Sequence, residues 1–239
     1  MVILFRRFSY KIWKSLKDSA EVRAKYLRDL FVSTSGNFSP KLYLDIGAGL
    51  GYNSLVFGES AEQVVALDLH FPKDNVLKSS EKACMIVADA CFLPFNNSVF
   101  DAVSLFSTIE HIPNQKRALR EAIRVLKPGG YLVMQFPNKF FPIELHSCLP
   151  FVFLIPLRLR GVIFKRFGHE GLGKINIPSV KKLKKMILQV APESKIRVAK
   201  VMYPSVVVWS KLRFFYKIAL KIGLFKAMPL GYLMMLRKM

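Results

Sequence analysis

The chain has 239 residues, 52% of them hydrophobic, and a formal charge of +21 at pH 7. That length suits one elaborated domain with a core of its own. No run reaches the ~18 uncharged apolar residues that cross a bilayer, which excludes a membrane-spanning helix.

The longest apolar run, Cys148 to Leu157, is ten residues with two prolines inside it. Met1 to Phe5 precedes Arg6 and Arg7, the wrong order for a signal peptide. Cys84, Cys91 and Cys148 lack metal-ligand spacing, so no metal centre is expected, and free buried thiols in a cytoplasmic protein account for them. The charge is unevenly placed. Residues 41–138 hold nine Lys/Arg against ten Asp/Glu, residues 1–40 eight against three, and residues 139–239 twenty against three. A neutral centre between basic flanks points to an anionic partner, either a membrane surface or a nucleic acid.

In chain order, residues 9–32 read as a helix in which Ile12, Leu16, Ala20, Val22, Tyr26, Leu27 and Leu30 recur near helical spacing. Ser33 to Pro40 reads as a loop. From Lys41 short apolar runs alternate with helical segments. Strands are expected at Leu42–Ile46, Gln63–Leu69, Cys84–Ala88, Phe100–Phe106 and Tyr131–Phe136. Such runs suit a parallel sheet covered on both faces. Asn114 can cap a helix with Ala118, Leu119, Ala122, Ile123 and Leu126 on one face, stopped by Lys127-Pro-Gly-Gly130. Ser179 can cap another, with Leu183, Met186, Ile187 and Val190 inward and Lys181, Lys182, Lys184 and Lys185 outward. Lys211 to Phe225 mixes apolar residues with basic ones. Ile196–Val201 and Leu230–Leu236 complete the expected strands.

The first strand runs into Asp45-Ile-Gly47-Ala48-Gly49-Leu-Gly51. Glycines there permit positive φ and let a ligand approach bare backbone. The spacing is G-x-G-x-G with an acid two residues upstream, unlike the G-x-G-x-x-G of dinucleotide sites. Asp68 ends the second strand beside Leu69, Asp89-Ala90 ends the third, and Ser107 to Pro113 follows the fourth. Asp101 reads as a strand-terminating acid. Ligands of open α/β sheets bind at such strand ends.

This order of motifs, with "EHI", "ALREAIRVLKPGG" and Phe136-Pro-Asn138, resembles class I S-adenosylmethionine-dependent methyltransferases of the quinone-type, small-molecule branch. The resemblance covers residues 41–138. It implies a Rossmann-like, mostly parallel seven-stranded sheet with helices on both faces and S-adenosyl-L-methionine as cofactor. Asp45, Gly47, Ala48, Gly49 and Gly51 would then serve its methionine part, Asp68 and Leu69 the ribose, Asp89 and Ala90 the adenine, and Ser107 the region near the methyl group. Asp68 otherwise reads as a solvated loop acid. Neither an Asn/Asp-Pro-Pro-Tyr signature nor a Pro-Cys nucleophile is present, which argues against base-methylating enzymes. The expected organisation is a basic helical extension over 1–40, a cofactor-binding core over 41–138, an acceptor-side insertion over 139–178, and basic helices and closing strands over 179–239.

Methyl transfer needs donor and nucleophile held in line, an effect worth roughly 7–11 kcal/mol. An oxygen acceptor would also use a base, worth about 10²–10⁴-fold. His111, after the fourth strand, is the candidate, since a reference pKa of ~6.5 suits the task. It reads equally as a loop support. Glu144 and His146 are candidate acceptor contacts, and His169 reads as a loop residue. The expectation is an enzyme acting on a lipophilic or lipid-linked small molecule on the inner face of an anionic membrane. The alternative is an RNA-directed methyltransferase or RNA-binding module using the basic flanks.

Overall fold

A computed structural model describes residues 18–36, 39–141, 155–166, 174–201, 217–218, 221–223 and 229–239. The apolar runs become β1 (Leu42–Ile46), β2 (Gln63–Asp68), β3 (Ala83–Val87), β4 (Phe100–Phe106) and β5 (Leu126–Pro137), all parallel. Antiparallel β6 (Lys195–Val201) and β7 (Gly231–Arg237) close the sheet in the order β3-β2-β1-β4-β5-β7-β6. The strand order reverses between β1 and β4, which opens a crevice at their C-terminal ends. This is the doubly wound α/β architecture expected.

Alternation along β1 sends side chains to opposite faces. Leu44 and Ile46 pack with α3 (Gln115–Val125) and α5 (Val180–Val190), through Ala118, Leu119, Ala122, Ile123, Leu183 and Ile187. Tyr43 packs with α1 (Ala20–Ser35) and α2 (Tyr52–Gly58), through Leu27, Phe31 and Phe57. Burying each large apolar side chain contributes about 1.5–3 kcal/mol. Both expected caps form: Asn114 Oδ1 accepts from Arg117 N at 3.1 Å and Ser179 Oγ from Lys182 N at 3.2 Å.

Three expectations are corrected. In α1 Leu27, Tyr26 and Leu30 pack against the core as expected, but Val22 is exposed and Ala24 and Phe31 complete the buried stripe, while Ile12 and Leu16 lie outside the described residues. The aromatic contacts of Phe31 with Phe57 and Tyr131 set that face. The helix also runs past Ser33, because Ser33 and Thr34 hydroxyls donate to Leu30 O and Gly36, at φ 90°, ends it. Second, Leu126 and Lys127-Pro-Gly-Gly130 belong to β5, not to a helix end and free turn. Gly129 N donates to Lys238 O at 2.8 Å and Lys238 N to Gly130 O at 3.0 Å. Lys238 Nζ meanwhile reaches Ile123 O near the end of α3 and Leu126 O at the start of β5. Third, Cys84 is exposed on β3, so that among the described residues Cys91 alone is a buried thiol; Cys148 lies outside them. Asp101 lies inside β4 and accepts from Leu42 N and Lys127 Nζ at 2.8 and 2.7 Å. Most of Lys211–Phe225 lies outside the described residues.

Helix α4 spans Leu157–Arg166. Among the described residues no helix is long and apolar enough to cross a membrane, and no cluster of His, Cys, Asp or Glu could hold a metal.

Candidate active site

The glycine-rich loop starts where β1 ends. Gly47 N and Ala48 N both donate to Leu67 O, at 2.7 and 3.0 Å, which folds the chain over the end of β2. Gly47, Gly49 and Gly51 all have positive φ. A Cβ at Gly47 would overlap the Thr108 side chain, and one at Gly51 would overlap Leu77. Those two glycines answer to the protein's own packing. A Cβ at Gly49 would meet nothing within 4 Å, so that stretch of backbone faces open space. Gly49 N donates to Asp68 Oδ2 at 2.8 Å, and Asn75 Nδ2 donates to Gly49 O at 3.3 Å.

Beneath this loop lies a cavity of about 650 Å³ at the ends of β1 to β4. Gly47, Asp68, Leu69, Asp89, Ala90, Ser107 and His111 line it, so residues from four separate strand ends meet as expected. Asp68 Oδ1 accepts only a long contact, from His70 N at 3.3 Å, which leaves acceptor capacity toward the cavity. Asp89 Oδ1 accepts from Cys91 N at 2.8 Å, turning the chain at the end of β3. Burial and the Asp89 carboxylate push the Cys91 thiol up, and Cys91 serves as a wall residue of the cavity.

Asp45, Ala48, Gly49 and Gly51 do not line the cavity; Gly49 reaches its edge only through the bond to Asp68. Asp45 is 1% exposed, and its two oxygens accept from Ser104 Oγ at 2.6 Å and Ser54 Oγ at 2.5 Å. Because Ser104 spends its proton on Asp45, Tyr43 Oη must be the donor in its 2.6 Å contact with Ser104 Oγ. Burial raises the Asp45 pKa to about 6 against the two serine hydrogen bonds, and the Asp68 charge adds to the rise. Burial likewise raises Tyr43 well above its ordinary value. In this arrangement Asp45 ties β1 to β4 and to the first turn of α2, and so positions the loop.

The opposite rim begins at Ser107, held at φ 50° with its Oγ donating to Gln135 Oε1 at 2.7 Å. A short 3₁₀ turn, Ile109–His111, carries His111 to the cavity wall. That turn is fastened from far along the chain. Gln115 Nε2 donates to Ile109 O at 3.0 Å and Asn176 O at 2.6 Å, and Asn176 N donates to Glu110 O at 2.8 Å. Arg117 closes the side of the cavity, its guanidinium 4.1 Å from the centre of the Phe92 ring and its Nε donating to Cys91 O at 2.8 Å. Sequence reasoning missed Thr108, Phe92 and Arg117. Only the place of Phe92 after the Asp89-Ala90 turn hinted at any of them. Glu144, His146 and His169 lie outside the described residues.

Residues 44–134 match the family model described as a methyltransferase domain, and the sheet around them has the fold of solved class I methyltransferases. The chain is 36% identical over 118 residues to a demethylmenaquinone methyltransferase of Thermobifida fusca, covering 47% of this chain and 50% of that protein. The chain thus spans about half the length of the relatives it matches. Phosphoethanolamine N-methyltransferase 2 of Haemonchus contortus, solved with S-adenosyl-L-methionine, superposes with a TM-score of 0.59 at 15% identity, over 89% of this chain and 52% of that one. The cyclase SpnF superposes with a TM-score of 0.57 at 18% identity, over 90% of this chain and 81% of that one. One fold therefore carries more than one chemistry, and activity has to be argued from residues.

The residues fit the cofactor of this domain family, S-adenosyl-L-methionine. Open space over Gly49, the acceptor capacity of Asp68 and the apolar wall of Leu69 and Ala90 suit a nucleoside with a ribose diol.

Proposed function

We propose that the protein transfers a methyl group from S-adenosyl-L-methionine to a lipophilic or lipid-linked small molecule at a membrane surface. The observation that carries the reading is the joining of Gly49 N to Asp68 Oδ2 over an open cavity at the strand-order switch. When bound, the cofactor supplies a methyl group activated by its sulfonium. The chain's own residues bind, orient and exclude water. Asp68 holds the ribose end, Asp89 and Ala90 flank the base, and the Phe92–Arg117 stack shuts the side of the cavity. His111 stands on the opposite wall, where it can take a proton from an acceptor hydroxyl. The lipophilic acceptor is inferred from 52% hydrophobic composition and from the basic excess of residues 139–239.

The test is calorimetry with S-adenosylmethionine, followed by incubation of labelled cofactor with fractionated lipid and RNA extracts. Saturable binding and label in the lipid fraction are expected. Absence of binding at about millimolar cofactor, the upper end of ordinary KM values, would remove the reading. Label in RNA alone would transfer it to nucleic acid.

A further inference from the structure

Helix α4 divides into two unlike faces. Arg160 and Phe164, one turn apart, are buried at 8% and 0% exposure. Arg158, Leu159, Val162, Lys165 and Arg166 are exposed, Leu159 at 57% and Val162 at 69%. Positions 159, 162 and 166 fall on one helical stripe, with Arg158 and Lys165 flanking it. The sequence of the helix, LRLRGVIFKR, contains no acid. Gly161 sits among these residues, where a Cβ would meet nothing within 4 Å. Two aliphatic side chains thus stand in solvent beside three cations.

The inward face is firmly built. Arg160 Nε donates to Ile155 O and Nη1 to Ile175 O, both at 2.9 Å. The next residue, Asn176, is the one bonded to Glu110 and Gln115 at the His111 turn. A short run of backbone therefore couples α4 to the rim of the cavity.

We infer that α4 is a docking helix for an anionic lipid surface, inserting Leu159 and Val162 between headgroups while Arg158, Lys165 and Arg166 engage their charge. Charge complementarity and aliphatic insertion together select a membrane. A surface for single-stranded nucleic acid would interleave its cations with aromatic stacking platforms, and this face has none. Each engaged cation changes affinity about fivefold. The bonds through Arg160 and Asn176 join the docked helix to the His111 rim, so the docking deepens the proposed function by assigning the surface from which the acceptor arrives. Docking itself does not depend on methyl transfer.

The experiment is sedimentation of the full chain with phosphatidylcholine vesicles, with and without phosphatidylglycerol. The natural chain should bind the anionic vesicles and weaken as salt rises from about 0.1 to 0.5 M. The L159E/V162E double variant should bind at least about tenfold more weakly, the loss expected when apolar insertion gives way to like-charge repulsion with the lipid. Both positions are exposed, so its thermal unfolding should match the natural chain. Met85→Glu, an exposed apolar position on the edge strand β3, should bind as the natural chain does. Equal binding of L159E/V162E and the natural chain would overturn the proposal. So would equal affinity for neutral and anionic vesicles, or binding to RNA alone. Calorimetry with S-adenosylmethionine on the same preparations keeps the two readings apart. Docking without cofactor binding removes the methyltransferase reading and leaves this one, and cofactor binding without docking does the reverse.

Discussion

The two rims of the cavity are assembled from different distances along the chain. Gly47, Gly49, Asp68 and Asp89 are held by hydrogen bonds among residues 47–92, all within the central neutral segment. His111 and its turn are held through Gln115 and Asn176, the latter 61 residues further on. The first rim is a local construction repeated at successive strand ends. The second is completed only when the segment beyond β5 folds back. A cofactor common to many enzymes can be served by the local rim, whereas an acceptor particular to one enzyme is served by the rim that depends on distant chain.

The largest expected effect falls on the distant rim. His111→Ala should lower turnover by roughly 10²-fold while cofactor affinity stays within a few-fold. Stopped-time assays beside calorimetry measure both. Full turnover in the variant would make His111 a support of its turn. On the local rim the pattern reverses. Asp68→Ala removes the acceptor of Gly49 N and a charged acceptor facing the cavity, so cofactor affinity should fall by about tenfold or more, equivalent to roughly 1.5–3 kcal/mol. Unchanged affinity by calorimetry would erase the assigned role. Gln115→Ala tests the joint between rims. It strips Ile109 O and Asn176 O of a buried donor, and chemical denaturation should show a loss of about 1–2 kcal/mol. The KM for acceptor should rise more than that for cofactor. An equal rise in both would mean that the rims are not separable.

The same division explains what could be read from sequence. Asp68, Asp89 and the three glycines sit at strand ends, so hydrophobic period and motif spacing suffice to locate them. Arg117 was hidden because an arginine in the first turn of an amphipathic helix looks like any solvated charge. Its partners, Phe92 and Cys91, come from a loop 25 residues earlier in number. Gln115 was hidden for the same reason, since its acceptors lie six and 61 residues away. Lys127-Pro-Gly-Gly130 was misjudged because local turn chemistry conceals pairing with the last residues of the chain. On α1 only Val22 was misplaced, because the stripe through Ala24, Leu27 and Phe31 leaves it facing solvent.

Asp45 makes the sharpest test, since sequence assigns it to the ligand and the structure turns it toward Ser54 and Ser104. Burial raises its pKa to about 6, above the ~3.9 of an exposed aspartate. A native state that prefers the protonated form gains stability from this group below the lower value. That gain is lost as pH rises through the upper one. The natural chain and an Asp45→Asn variant should therefore diverge on acidification. Asparagine can accept from one serine and donate to the other without titrating. Between pH 7 and pH 5 the difference in unfolding free energy should shift by about 1 kcal/mol in favour of the natural chain. Denaturation curves at the two pH values measure it directly. Cofactor affinity of the variant should stay within a few-fold, in contrast to Asp68→Ala. A flat stability difference with a tenfold loss of affinity would reverse the assignment and return Asp45 from the interior of the sheet to the cofactor.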